Sequence, residues 1–156
     1  MVKYLIVFFL SMVPILELRF AVPFAVGMDL PYIPALITCI IGNMIPVPII
    51  YLFARKFLVW GSKQKYIGNF CNKFLEKGEK AGRKIVAATG RGGTFVALML
   101  FVGIPIPGTG AWTGTLAASF LDMGIKSTAL SVSLGVVIAG IIVGTASTGV
   151  FSIIGL

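Results

Sequence analysis

The chain has 156 residues, 58% of them hydrophobic, with a mean hydropathy of +1.02 and only 12% charged; a soluble domain carries about a quarter charged. That composition excludes a large water-soluble core and marks an integral membrane protein, and the length suits one domain with a few spanning elements. Histidine is absent, which removes His-based acid–base and nucleophilic catalysis and most zinc sites, so no cofactor or metal is expected.

The chain begins with Lys3 and a mostly apolar run, Tyr4 to Leu16, which has the look of a signal peptide. Glu17 and Arg19 follow at once, however, and the pattern they begin returns later, so the run reads as the first element of a repeated unit. "ELR", Glu17 to Arg19, is the charged cluster of this apolar half. Burying such charges costs roughly 2.5 to 3.5 kcal/mol each on insertion scales, which makes an intramembrane pair a functional hypothesis by default. The bland alternative seats both at the interface, with Arg19 snorkelling. If buried, Arg19 suits a phosphate or carboxylate through its bidentate fork. Glu17 is then the candidate proton carrier, because loss of water favours the neutral carboxyl form.

After Asp29 comes a long apolar element, Ala35 to Ala54, interrupted by Pro46 and Pro48. The polar middle, Arg55 to Gly93, holds ten of the thirteen Lys and Arg residues and only two acids, Glu76 and Glu79. The positive-inside rule makes it cytoplasmic. Tyr66, Ile67, Phe70, Cys71 and Phe74 recur there at helical spacing, as in an amphipathic helix on an anionic leaflet, with a solvated basic linker as the alternative. Nucleic acid is not an expected partner, since an apolar face beside membrane segments accounts for the charge. Cys39 and Cys71 read as unpaired thiols.

Two apolar runs of eleven residues follow, Thr94 to Ile104 and Ala111 to Leu121, each about 16 Å as a helix, half a bilayer. Between them Gly103, Pro105, Pro107, Gly108 and Gly110 remove more helical hydrogen bonds than a kink requires, so the pair reads as a re-entrant hairpin whose break extends to Gly114. Backbone exposed at its tip near mid-membrane must be buried in protein or line a wet cavity. A single kinked span is the competing reading. The break offers hydroxyls at Thr109, Thr113 and Thr115, the Trp112 indole, and free N–H groups at the helix start near Ala111, an anion-binding arrangement. The last helix, Ser127 to Leu156, carries Gly140, Gly144 and Thr148 at four-residue spacing, a close-packing face within or between subunits.

Sliding the halves by 93 positions puts Pro14 on Pro107, Ala25 on Ala118, Asp29 on Asp122 and Gly42 on Gly135. The order of features also matches: short run, break, short run, Asp, long helix. The expectation is therefore an all-α integral membrane protein of two inverted repeats, 1–54 and 94–156. Each is a Pro/Gly-broken re-entrant helical hairpin followed by a transmembrane helix, with the basic amphipathic segment 55–93 between them in the cytoplasm. Such repeats are associated with transporters that bind substrate at the midplane.

On "PILELRFAVP" and "PIPGTGAWTG" the chain resembles the small multidrug export protein family, relatives of the DedA and VTT-domain membrane proteins. The likeness covers nearly the whole length and is sharpest at Glu17-Leu18-Arg19 with Pro23 and at Pro107 to Gly114. It implies two re-entrant elements in inverted repeats, and translocation of a lipid or polyprenyl phosphate carrier as much as drug export. Many DedA proteins place a second arginine in their own break. Here Trp112 and Gly114 occupy that region, which sets the chain apart from phosphate recognition by an arginine pair.

The leading reading is a small transporter or flippase for an amphipathic anionic substrate. Arg19, Glu17, Thr109, Gly110, Trp112 and Thr113 line its site, Glu17 carries a coupling proton, and the partners are membrane lipid and further copies of the chain. An exporter of small cationic drugs and a non-transporting membrane assembly protein stay open. An enzyme is not expected, because Asp29 and Asp122 fall on opposite faces and Lys126 lies at an edge.

Overall fold

The computed structural model describes residues 1–14, 16–106, 109–121 and 123–154, without the side chains at 54, 55, 74, 77–79, 81–86, 88, 91 and 151–154. Pro107, Gly108 and Asp122 of the sequence reading lie outside the described residues. The described chain is all helical: α1 (Val2–Met12), α2 (Glu17–Gly27), α3 (Tyr32–Met44), α4 (Pro46–Ser62), α5 (Gly68–Gly103), α6 (Ala111–Phe120) and α7 (Ile125–Ile154). Gly90, at φ 65°, breaks α5 in two, which makes eight helical segments; the apolar arm of α5 is Gly92–Gly103.

Proline sets both short-helix ends. The residue before a proline is pushed out of the helical region, and accordingly Val13, before Pro14, is extended (φ −72°, ψ 131°), as is Ile104, before Pro105 (φ −79°, ψ 119°). Pro46 opens α4, where its missing N–H is tolerated, and Ile45 stays helical, so the chain runs from α3 into α4. The result is a 22-residue apolar helix, Tyr32–Phe53, and α7 supplies a second, Ile125–Val150. At 1.5 Å per residue both exceed the roughly 30 Å of a hydrocarbon core. α4 continues past Ala54 to Ser62. α2 ends in a Schellman closure, with Asp29 left-handed (φ 58°), Asp29 N–H on Val26 O at 2.9 Å and Leu30 N–H on Ala25 O at 3.1 Å.

The long helices are antiparallel: Leu36 meets Gly140, Tyr32 meets Gly144, and the Tyr51 hydroxyl donates to the Met123 carbonyl. The arm of α5 climbs in step with α7. Ser131 Oγ donates to Phe95 O at 2.7 Å, Gly135 abuts Met99 O, and Gly103 abuts Ile138. The arm therefore stops beside the middle of α7. α6 then packs back on it through Gly114 and Val102, and its last turn leads directly to the start of α7. In the first half Lys3 Nζ donates to Met28 O at 2.8 Å, tying the start of α1 to the end of α2, and Gly42, midway along Tyr32–Phe53, abuts Phe8 and Ser11.

Ile33, Ile37, Ile41, Ile45 and Ile49 are exposed at four-residue steps, while Ala35, Cys39, Gly42 and Asn43 on the same helix are buried. Small and polar inside with large and apolar outside is the distribution expected where helices pack in lipid. Both cysteines are free and buried. Cys71 does not sit on an exposed apolar stripe with Tyr66 and Phe70 as the helical spacing suggested, because its sulfur fills the space above Gly61 of α4.

Candidate functional site

The start of α2 lies against the second break. Glu17 is buried and left-handed (φ 50°), a conformation that costs a non-glycine residue of order 1–3 kcal/mol and concentrates at functional sites. Its carboxylate accepts the N–H of Ala111 through Oε2 at 3.2 Å and of Trp112 through Oε1 at 3.1 Å. The N-cap residue of α6 is Gly110, which has no side chain to offer, so Glu17 caps α6 from another helix. The N–H groups expected to be free are thus occupied. A Cβ on Gly110 would overlap the Glu17 carboxylate, which is why only glycine fits at that close approach.

Arg19, two residues and about half a turn further along, is half-buried and turns to the other side of the break. Its guanidinium donates to the carbonyls of Val102 (3.3 Å), Ile104 (3.1 Å), Ile106 and Thr109 (2.8 Å), and to Thr109 Oγ1 (2.8 Å). These acceptors are the carbonyl end of the α5 arm and the chain just after it, where helix partial charge is negative and cations are favoured. In this conformation Arg19 is committed to backbone oxygens. Trp112 makes the reciprocal contact: its indole Nε1–H donates to Met12 O, the last residue of α1, at 3.2 Å. Thr109 Oγ1 also sits 2.8 Å from Ile104 O and 2.9 Å from Ile106 O.

Beside this junction opens a cavity of about 1060 Å³. Glu17, Arg19, Gly110, Trp112 and Thr113 line one region; Ile49, Ile50, Phe53, Phe57, Leu116 and Val143 supply apolar wall. Thr113 is exposed, with its hydroxyl on Gly110 O of its own helix at 3.3 Å. Thr115 faces away from the cavity, buried without a partner. Gly140 and Gly144 do not reach the site; they receive Leu36, Leu18 and Tyr32, so this packing lies within the chain. Thr148 Oγ1 bonds to carbonyls of its own helix.

Asn43 was not singled out from the sequence. It is buried on α3 with Oδ1 unpartnered, and with Glu17, Arg19, Gly110 and Ala111 it lines a second cavity of about 10 Å³, room for about one water molecule. A lone amide in an apolar run was the available signal. Among the described residues no group of three or more His, Cys, Asp or Glu side chains is placed to hold a metal.

Residues 17–142 match the family model described as "Putative small multi-drug export protein". The chain belongs to this family. The match begins at Glu17, just after the first break, and takes in the second break, most of the cavity lining and most of α7. No curated protein and no solved structure matches. An export family agrees with two apolar helices of spanning length, and the family is one of transport rather than of catalysis.

Proposed function

We propose that the protein is a proton-coupled membrane transporter or flippase for an amphipathic anionic substrate, in which Glu17 and the substrate head group alternate at the N-terminus of α6. The observation that carries this is a built anion site, two convergent N–H groups at a helix start, held by an internal carboxylate on the wall of a large apolar cavity. Protonation of Glu17 removes the negative charge that caps α6 and leaves the Ala111 and Trp112 N–H groups to a phosphate or carboxylate arriving through the cavity. The apolar tail lies along Ile49, Phe53 and Leu116, and Arg19 keeps the end of the α5 arm fixed meanwhile.

The proposal includes two inverted repeats of the DedA kind, and correspondences between the halves support it. The 93-position offset puts Glu17 on Gly110 and Arg19 on Trp112. The first pair meets face to face, and each member of the second caps the short helix of the opposite half. The offset also maps the Leu30 to Ala25 hydrogen bond onto that of Met123 to Ala118, 3.3 Å. In this proposal both breaks are mid-membrane tips of re-entrant hairpins, a reading supported by the α5 arm ending beside the middle of α7. The basic segment is then cytoplasmic.

A second reading, export of cationic drugs with Glu17 as counter-charge, rests on the same carboxylate and on the family's description. A matched pair of probes separates the two. In a Trp60→Phe variant Trp112 is the remaining tryptophan, and its fluorescence reports binding of dodecyl phosphate or dodecyltrimethylammonium. The proposal expects dodecyl phosphate to bind, several-fold more tightly in Glu17→Gln. Binding of the ammonium probe alone, lost in Glu17→Gln, sinks the proposal in favour of drug export; binding of neither favours an assembly role.

A further inference from the structure

Away from the central junction, the end of α4 forms a second pocket, of about 550 Å³, lined by Tyr51, Leu52, Lys56, Val59, Trp60 and Lys63 with Ser119 of α6. Lys56, Trp60 and Lys63 share one face, spaced four and three apart. Among the described residues no carboxylate lines the pocket, and neither ammonium group has a hydrogen-bond or ion-pair partner. Two cations facing one concave site favour an anion there.

The neighbourhood says what kind of anion. Tyr51 also lines an adjoining apolar groove of about 340 Å³ between α4 and α7, walled by Met44, Val47, Pro48, Ile125 and Ala129, with Lys126 at its edge. Lys56 lies three residues and Trp60 seven beyond Phe53, the end of the apolar span, so about 5 and 10 Å along the helix. That is the depth of the head-group layer, where lysine and tryptophan are both favoured. From water inward come Lys63, Trp60, Lys56, Tyr51 and then the apolar groove, so cations and amphipathic rings interleave through the head-group layer and the groove lies beneath them, as the acyl chain lies beneath the phosphate and glycerol ester of a phospholipid.

The geometry points to a bound anionic phospholipid at this end of the molecule, its phosphate between Lys56 and Lys63, its glycerol region against Trp60 and Tyr51, and an acyl chain in the groove between α4 and α7. The site is separate from the Glu17 junction and stands whichever reading of that junction holds.

The test uses Trp112→Phe, which leaves Trp60 as the remaining tryptophan. The variant is reconstituted in phosphatidylcholine vesicles with increasing brominated phosphatidylglycerol or brominated phosphatidylcholine, whose bromines quench a ring in contact. The expected result is half-maximal quenching at a mole fraction at least about fivefold lower for phosphatidylglycerol, a preference of about fivefold for each lysine engaged. Lys56→Gln with Lys63→Gln should make the two lipids equivalent, while Lys56→Arg with Lys63→Arg keeps the preference. Equal quenching by both lipids in the parent background overturns the site, and so does a preference that survives both Gln substitutions. Relief of the preference by millimolar inorganic phosphate overturns the lipid assignment in favour of a soluble anion. Size-exclusion behaviour controls for folding, and retention of one anionic phospholipid by the unmutated protein in native mass spectrometry gives an independent measurement should the Gln pair misfold.

Discussion

Removing the Arg19 side chain should unlatch the second break. The guanidinium contacts five oxygen atoms around the end of the α5 arm, where the chain leaves the helix at Ile104 and turn hydrogen bonds run from Ile106 N–H to Ile104 O and from Thr109 N–H to Ile106 O. Interhelical hydrogen bonds inside membranes average about 0.6 kcal/mol, which gives about 3 kcal/mol in total. Hydrogen bonds to charged groups are worth about 1.5 to 3 kcal/mol, so two strong ones alone reach the same figure. For a chain of this length each kcal/mol shifts the melting temperature by roughly 2–4 °C. Arg19→Ala should therefore melt about 6–12 °C below the parent. Arg19→Lys keeps the charge and up to three donors on one nitrogen, and should fall between them. A thiol-reactive dye in detergent suits the measurement, because Cys39 and Cys71 are buried and react on unfolding. If Arg19→Ala melts within about 2 °C of the parent, the guanidinium is not latching the break and the account of the junction is wrong.

Gly110→Ala should displace the Glu17 carboxylate from Ala111 and Trp112, lowering the melting temperature by about 4–8 °C and changing Trp112 fluorescence in a Trp60→Phe background; an unchanged Trp112 spectrum counts against the cap. Thr115→Val removes a buried hydroxyl without a partner, so its melting temperature should stay level or rise by a few degrees, and a clear fall would mean that the hydroxyl has a partner. In a cysteine-free background, Tyr66→Cys and Gly124→Cys, both exposed positions, should react with a membrane-impermeant thiol reagent only after cells are opened. Labelling from opposite sides would reduce the second hairpin to a kinked span.

The short helices were legible because proline acts locally. The runs Thr94 to Ile104 and Ala111 to Leu121 became Gly92–Gly103 and Ala111–Phe120, and the extended residues fall where a following proline requires them. Glu17 and Arg19 could be singled out, since charge in an apolar run is costly wherever it ends up. Their partners could not be read. Glu17 is met by two backbone N–H groups and Arg19 by carbonyls, and backbone groups carry no residue signature. The occupied N-terminus of α6 follows from a cross-chain approach that a glycine permits but does not announce. Cys71 likewise went inside because Gly61 leaves room, a fit between two surfaces that neither stretch reveals alone.

The separation of these partners along the chain bears on how the molecule is made. Arg19 and Glu17 find their partners 83 to 95 positions later, so at a synthesis rate of about 5–20 residues per second α2 spends roughly 4–19 s with both charges unanswered. On the proposed re-entrant topology, the first hairpin during that interval has an arginine and a glutamate at the tip that must later lie deepest, and the place where they cost least is the wet boundary of the bilayer. The first half can wait there as a shallow insertion. The α5 arm and α6 then bring the carbonyl and N–H ends that these charges need, so each half supplies what allows the other to sink, and burial of the two hairpins becomes a single late event rather than two independent ones.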